Sequence, residues 1–221
     1  MKGVLTLATR ARREREKEER RQSILRAARE ALLEEGFYRI TMDGIAERAE
    51  VSKGTVYLYF ESKETLLARL LLEGLATLCD YLEEAYAPDR SMPANERLRR
   101  LSWAYLQFFQ WEPSYFRFLM AVDRGRFREA VTPEVYQEVL EASMEGLNWV
   151  VRAIEQGVED GMFDCCDVRQ AAATFWAALS GVLDLMSHPL RQDLVGVSLE
   201  TLYRTAVETV LRGLRAVPSR E

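Results

Sequence analysis

Residues 41–60, TMDGIAERAEVSKGTVYLYF, are the stretch that most constrains how this chain can fold. Thr41 and Ser52 stand where helix N-caps are expected, because their hydroxyls can accept hydrogen bonds from the first free N–H groups of a helix. The spacing therefore predicts two short helices around a tight turn. Ala46 allows the two helices to cross closely, and Val56 is placed to hold the second helix against a core. The stretch is predicted to be a helix-turn-helix.

The outer face of the second short helix carries groups that suit phosphates and base edges. It presents a cation, a hydroxyl and two phenols, from Lys53, Thr55, Tyr57 and Tyr59. Gly54 leaves the backbone room to approach a partner, and the helix N-terminus at Ser52 directs free N–H groups outward. Lys63, at the start of the next helix, is placed to reach a further phosphate. We expect this face to enter the major groove of double-stranded DNA.

The charge distribution agrees with that expectation although the net charge is −5. Residues 1–66 carry 14 basic and 12 acidic side chains, whereas the remainder carries 16 and 23. A polyanion is therefore expected to meet the N-terminal part. In the arm that precedes the helix-turn-helix, Arg10, Arg12 and Arg13 could contact phosphates or the minor groove. Opposite charges four residues apart in the same arm favour a solvated helix instead, and both interpretations stay open.

The rest of the chain shows amphipathic helical periodicity and no convincing strand. The predicted fold is all-α with about nine helices. Residues 1–66 form the N-terminal arm and a three-helix head whose first helix, over residues 18–35, is closed by Gly36 in a left-handed cap. Residues 67–221 form a larger helical domain. Its later helices are predicted over residues 94–111, 114–127, 133–160, 167–187 and 199–215.

Composition argues against several kinds of site and location. The three cysteines, Cys79, Cys165 and Cys166, make a poor disulfide framework, and a single histidine without CxxC gives no recognised set of metal ligands. The longest uncharged run, residues 170–183, is too short to span a bilayer, and the first residues lack a signal-peptide pattern. We expect a cytoplasmic protein without metal, cofactor or membrane partner.

Residues 41–67, and above all VSKGTVYLYFESKETLL, resemble the DNA-binding signature of the TetR family of bacterial regulators. The resemblance is close over residues 1–70, and beyond them only helix lengths and residues 154–163 are similar to the family's divergent C-terminal half. One departure is Glu50, where the family usually has glycine in the turn. A side chain there is expected to strain the turn, and its carboxylate to weaken phosphate binding. The resemblance implies DNA contacts by Thr41, Ser52, Lys53, Thr55, Tyr57, Tyr59 and Lys63.

A homodimer is expected, because one recognition helix contacts only a few base pairs, and a two-fold pair spaced by about 34–36 Å doubles the site. The last two helices carry small and apolar residues that could form the interface: Ala171, Ala172, Ala177, Ala178, Gly181, Leu202, Ala206, Val210 and Leu214. An intramolecular core is the alternative interpretation of these residues. The resemblance implies a four-helix interface built from these two helices of each subunit.

Large side chains are unusually frequent between the head and the last two helices. Many must be plain core, but the resemblance implies an effector pocket among them. The residues expected to line it are Tyr105, Phe109, Phe116, Met120, Trp149 and Phe175. A mainly apolar effector is expected. Arginines at positions 117, 124, 126 and 128 could bind a phosphate or carboxylate, so that a fatty acyl-CoA would suit both features, or could form a solvated face paired with acidic neighbours.

The expected function is a ligand-responsive regulator, most often a repressor in this family, that is released from a palindromic operator by its effector. An enzyme is not expected, because the sequence has no GxSxG motif, phosphate-binding loop, paired metal ligands or Cys/His constellation. The second alternative is a helical interaction module without specific DNA binding, for which Glu50 is the only positive indication.

Overall fold

The computed structural model describes residues 2–36, 38–86, 91–122, 127–164 and 167–215, and within them every side chain except those of residues 2–9, 11 and 122. These residues form eleven helices and no strand, which confirms the all-α prediction; one isolated β-bridge joins Phe163 and Arg215. The helices are α1 (Lys2–Glu35), α2 (Met42–Arg48), α3 (Lys53–Tyr59), α4 (Lys63–Tyr86), α5 (Ala94–Trp111), α6 (Pro113–Val122), α7 (Phe127–Ala130), α8 (Pro133–Glu159), α9 (Val168–Met186), α10 (Pro189–Val195) and α11 (Leu199–Leu214).

The chain divides into two compact units. Unit 1 comprises Met1–Gly74 and Arg117–Val139, and unit 2 comprises Leu75–Phe116 and Leu140–Glu221. Unit 1 thus holds the helix-turn-helix together with a later segment of the chain, which the sequence did not indicate. The predicted division between residues 66 and 67 stays a prediction. Among the described helices, none is both long and apolar enough to cross a membrane.

Side-chain caps begin the helices where they were predicted. Thr41 Oγ1 accepts a hydrogen bond from the Gly44 N–H at 3.1 Å, and Ser52 Oγ accepts one from the Thr55 N–H at 3.1 Å. Each cap satisfies a backbone donor that has no partner within its own helix. Later helices are capped in the same way by Ser62, Thr132, Asp167 and Ser198.

The core of unit 1 joins the three head helices. Ile24 and Leu32 of α1, Ile45 of α2 and Val56 of α3 are almost completely buried, and Phe60 follows α3 into the same core. Helix α1 packs against α2, and α2 packs against α3. Ile24 and Leu32 lie eight positions apart and Val56 and Phe60 four, so each pair occupies one face, which is directed inward.

Two turns of unit 1 adopt the left-handed backbone conformation. Gly36 has φ 79° and closes α1, with its N–H donating to the Leu32 carbonyl at 3.1 Å, as predicted. Glu50 has φ 53° in the turn between α2 and α3, a conformation that costs a non-glycine residue about 1–3 kcal/mol. The next residue, Val51, donates its N–H to the Ala46 carbonyl at 3.0 Å. The strain expected at Glu50 is therefore present in the backbone.

Unit 2 is built around α5, α9 and α11, each of which packs against the other two. Their facing sides are apolar and fully or almost fully buried. The buried residues of these three helices include Leu98, Leu101, Phe108, Phe175, Leu179, Leu183, Tyr203, Val207 and Leu211. Helix α10 packs against α9.

The helices differ from the sequence predictions in three places. Helix α1 begins at Lys2 rather than near residue 18, because the charged arm continues the same helix. The single helix predicted over residues 114–127 appears as α6 and the four-residue α7. Helix α10 was not predicted, although Pro189 at its first turn and Gly196 with φ 68° after its end are the usual signals of helix boundaries.

We expect Gly157→Ala to destabilise the protein by about 2–3 kcal/mol, in spite of the better helix propensity of alanine. A Cβ at Gly157 would lie 2.1 Å from Cδ2 of the buried Phe163. Gly146→Ala in the same helix is the matched control, because its Cβ would meet Leu82 Cδ1 at an ordinary 3.7 Å. The control should be neutral or stabilising by up to about 1 kcal/mol. Denaturant titrations measure both free energies of unfolding, and equal effects would contradict the clash.

Candidate nucleic-acid interface and ligand site

Helix α3 is held in unit 1 by one side only. Val56 and Phe60 are buried, and Ala46 of α2 is buried at the helix crossing. The guanidinium of Arg21 lies 5.7 Å from the centre of the Phe60 ring. Since Val56 and Phe60 lie four residues apart, they occupy the same face, and the rest of this short helix is directed away from the core.

The opposite side of α3 faces solvent. Ser52, Lys53 and Gly54 are exposed, Tyr57 retains 45% of its accessible surface, and Leu58 retains 82%. Four other residues predicted to contact DNA lie in unit 1 as well. Thr41 is exposed, and the half-buried ones are Thr55, Tyr59 and Lys63. Their DNA contacts stay predictions, while the solvent exposure that such contacts need is present.

The polar groups at the start of α3 are bonded to one another. Lys53 Nζ forms an ion pair with the Asp43 carboxylate at 3.0 Å, and the Ser52 and Thr55 hydroxyls lie 2.8 Å apart. The hydrogen bond from Lys53 to Asp43, and then the carboxylate charge, raise the pKa of Lys53. The ammonium is therefore fully charged at neutral pH, and a phosphate would have to compete with Asp43 for it.

The arm formed by the first turns of α1 carries its own charge pairs. Arg12 Nε lies 3.3 Å from Glu16 Oε1, and Arg21 Nη1 lies 3.4 Å from Glu18 Oε1. Arg12, Glu16 and Glu18 are exposed, whereas Arg21 is half-buried. The pairs agree with the solvated-helix interpretation of the arm, and contact between Arg10 and DNA stays a prediction.

Three of the residues predicted to bind an effector lie together in unit 2. The ring of Phe109 meets that of Phe116 edge to face at 4.8 Å, and Tyr105 lies 6.1 Å from Phe116. Phe116 is almost completely buried and Phe109 is half-buried. Phe175 is also fully buried in unit 2. The rings of Tyr105, Phe109 and Phe116 thus form an aromatic cluster.

Hydroxyls lie next to the aromatic cluster, and the Trp176 side chain also hydrogen-bonds to Tyr105. The Tyr105 hydroxyl lies 2.9 Å from Ser180 Oγ, and the Tyr203 hydroxyl donates to the Ser102 carbonyl at 2.7 Å. Burial raises the pKa of Tyr105, and it raises the pKa of Tyr203 well above its usual value. Both phenols are therefore neutral at physiological pH, so this part of unit 2 is apolar with a few neutral hydrogen-bonding groups.

Trp149 and Met120, which were also predicted to bind the effector, belong to different units. Trp149 is half-buried against the Tyr86 ring, 4.9 Å away, and Met120 is half-buried in unit 1. Of the four arginines, Arg117 and Arg128 are exposed in unit 1, and the other two lie outside the described residues.

A surface cavity of about 590 Å³ in unit 2 was not predicted from the sequence. It lies along the outer sides of α4 and α5, and the indole of Trp103 in its wall is 54% exposed. The available sequence signal for this cavity was the four-residue spacing of side chains such as Trp103 and Gln107 on α5, which are exposed and half-buried in the structure. Its lining residues are Tyr81, Glu84, Ala85, Glu96, Arg99, Arg100, Trp103, Ala104 and Gln107, and none is among the six predicted effector residues.

The two helices proposed for dimerisation keep part of the predicted surface exposed. On α9, Ala177 and Gly181 are exposed, while Ala172 is completely buried within the subunit. On α11, Leu202, Ala206 and Val210 are half-buried, and Leu214 is buried. Ala172 and Leu214 are buried within the subunit, which agrees, for these two residues, with the alternative of an intramolecular core.

Residues 24–70 match the model of the family described as bacterial regulatory proteins, tetR family. Two relatives from Bacillus subtilis (strain 168) extend the likeness. The HTH-type transcriptional regulator YhgD is 29% identical over 149 residues, 67% of this chain and 74% of that protein. The fatty acid metabolism regulator protein is 25% identical over 181 residues, 81% of this chain and 90% of that protein.

The fold is also that of a solved regulator. The transcriptional regulator FadR from Bacillus subtilis, in complex with stearoyl-CoA, aligns with a TM-score of 0.67 and 22% identity, over 88% of this chain and 99% of that one. Residues 24–70 are thus similar to bacterial regulatory proteins of the tetR family, and the chain as a whole shares the all-helical fold of that solved regulator.

Proposed function

We propose that this chain is a ligand-responsive repressor that binds a palindromic DNA operator as a homodimer and is released by a small, largely apolar effector. The observation that carries the proposal is the outward side of α3. Ser52, Lys53, Gly54 and Tyr57 are exposed on a helix whose opposite side is buried through Val56. Such a helix can enter the major groove without rearrangement of its own core. The residues proposed to contact DNA are Thr41, Ser52, Lys53, Gly54, Thr55, Tyr57, Tyr59 and Lys63.

We propose that α9 and α11 form the dimer interface. Exposed Ala177 and Gly181 allow close approach of a second copy, and half-buried Leu202, Ala206 and Val210 supply apolar area. A two-fold dimer would offer two copies of α3 to one duplex. Effector binding would then favour a dimer geometry in which the two copies of α3 no longer match successive major grooves. Helix α4 is proposed to transmit this change, because residues of α4 belong to both units.

The effector is proposed to be a fatty acyl-CoA. One relative is named a fatty acid metabolism regulator, and the solved regulator with the same fold holds stearoyl-CoA. The aromatic cluster of Tyr105, Phe109 and Phe116 is apolar and its neighbouring phenols are neutral, which suits an acyl chain. Met120, Trp149 and Phe175 remain proposed effector contacts.

Two substitutions should change DNA affinity in opposite directions. Lys53→Ala should weaken binding and reduce the slope of log affinity against log salt by about one, since one phosphate contact is lost. Asp43→Asn should strengthen binding several-fold, because Lys53 would no longer be held by a carboxylate and phosphates would no longer be repelled by it. The measurement is a titration of labelled duplex from the gene's own upstream region at several salt concentrations.

The control for this titration is Arg100→Ala, which removes an exposed cation from unit 2 and should leave affinity and salt slope unchanged. Weak binding that is equal for operator and unrelated duplex would contradict the regulator proposal. That result would favour the helical interaction module instead.

Stearoyl-CoA should lower the affinity for operator by about 5- to 150-fold, and stearate or coenzyme A alone should act much more weakly. Phe109→Ala should raise the stearoyl-CoA concentration needed for release by about tenfold, because it removes apolar contact area, without changing ligand-free DNA affinity. Trp103→Ala is the control, since it alters the surface cavity along α4 and α5 instead. If Trp103→Ala raised the stearoyl-CoA concentration needed for release more than Phe109→Ala did, the effector site would instead be assigned to that cavity.

Native mass spectrometry should show particles of twice the 25.5 kDa chain mass. Gly181→Glu should weaken the dimer at least about tenfold, since a carboxylate would be buried without a partner. A Cβ at Gly181 has no atom within 4 Å, so the substitution fits the isolated subunit. Ala76→Glu, at an exposed position of α4, is the matched control. A wild-type monomer, or equal effects of both variants, would contradict the proposed interface.

A further inference from the structure

Leu58 is the most solvent-exposed aliphatic side chain among the described residues of unit 1. It retains 82% of its accessible surface, compared with 51% for Leu33 on α1. Single exposed leucines are common on protein surfaces, so exposure alone assigns no role. The position of Leu58 on α3 is what gives it one.

Leu58 lies on the outward side of α3, beside Tyr57. It lies four positions after Gly54, so it stands one helical turn, or about 6 Å, farther along the same face. Val56 and Phe60 are buried on the other side, which prevents Leu58 from turning inward. Any duplex that receives the exposed start of α3 in its groove also receives Leu58.

The chemistry of Leu58 differs from that of its neighbours. Lys53 is paired with Asp43, and the Ser52 and Thr55 hydroxyls are bonded to each other, so each must exchange one polar partner for another on binding DNA. Leu58 has no polar partner to give up and gains free energy simply by leaving water. Its complement in a groove is therefore an apolar group. In the major groove, the only apolar group offered by the four bases is the 5-methyl of thymine.

We propose that Leu58 contacts a thymine methyl group in the major groove and so selects thymine at one position of each half-site. The inference rests on the proposed function, because it requires α3 to lie in that groove. Leu58 is then a specificity determinant that makes no hydrogen bond. A methyl group buried against Leu58 is worth about a fourfold change in affinity per half-site.

The test begins with duplexes selected from a random pool by the full-length wild-type chain. In the selected duplex, each thymine is replaced in turn by deoxyuridine, which keeps the base pair and removes only the methyl group. We expect one thymine in each half-site at which the replacement weakens wild-type binding by about fourfold. Leu58→Ala should bind the thymine duplex about fourfold more weakly per half-site, and it should respond less than twofold to the same replacement.

Two further variants separate base selection from a general effect on the fold. Leu58→Met keeps an apolar side chain and should retain the sensitivity to deoxyuridine. Leu33→Ala truncates an exposed leucine on α1 and should leave both affinity and deoxyuridine sensitivity unchanged. Since Leu58 is exposed, Leu58→Ala should also leave the thermal midpoint within a few degrees of wild type.

The outcomes distinguish this inference from the function on which it rests. A wild-type chain that selects no sequence overturns both. Specific wild-type binding in which no thymine is sensitive to loss of its methyl overturns the inference alone. The same holds if Leu58→Ala stays as sensitive to deoxyuridine as wild type.

Discussion

The burial of Val56 and Phe60 is the contact on which the DNA-binding surface depends. Helix α3 has seven residues, too few to be stable in water on its own. Its orientation comes from those two side chains, from the crossing at Ala46 and from the Ser52 cap. With one side held in the core, the other side must face solvent. Tertiary packing, rather than helix propensity, thus presents the face proposed to meet DNA.

Polar side chains on the resulting surface are already bonded to one another in the absence of a partner. Lys53 is paired with Asp43, and the hydroxyls of Ser52 and Thr55 are bonded to each other. DNA affinity is therefore a difference between new phosphate contacts and the local contacts they replace. The left-handed Glu50 adds backbone strain and a carboxylate to the same turn. Under the proposed function, such a head would bind DNA through several modest contacts, which suits an equilibrium that an effector could shift by about 1–3 kcal/mol.

Unit 2 has a largely apolar interior that also holds the buried Arg97, and hydroxyls lie next to its aromatic cluster. Burial keeps the phenols of Tyr105 and Tyr203 protonated, so that no charge accompanies them into the interior. An apolar effector could be accommodated there without desolvating an ion. The exposed cavity with Trp103 in its wall is chemically different, because acidic and basic side chains line it. The unit therefore combines two chemically distinct environments, a buried aromatic cluster and an exposed cavity lined partly by charged side chains.

The sequence by itself determined the all-helical class, the caps at Thr41 and Ser52 and the outward side of α3. These features depend on interactions within three or four residues, which periodicity and capping patterns record. Only the tertiary structure decided that Phe109 meets Phe116 while Trp149 meets Tyr86. It also decided that Ala172 and Leu214 turn into the core, since several faces of α9 and α11 are apolar or small enough to be buried. Which of those faces is buried depends on helices distant in the chain, and no local pattern contains that information.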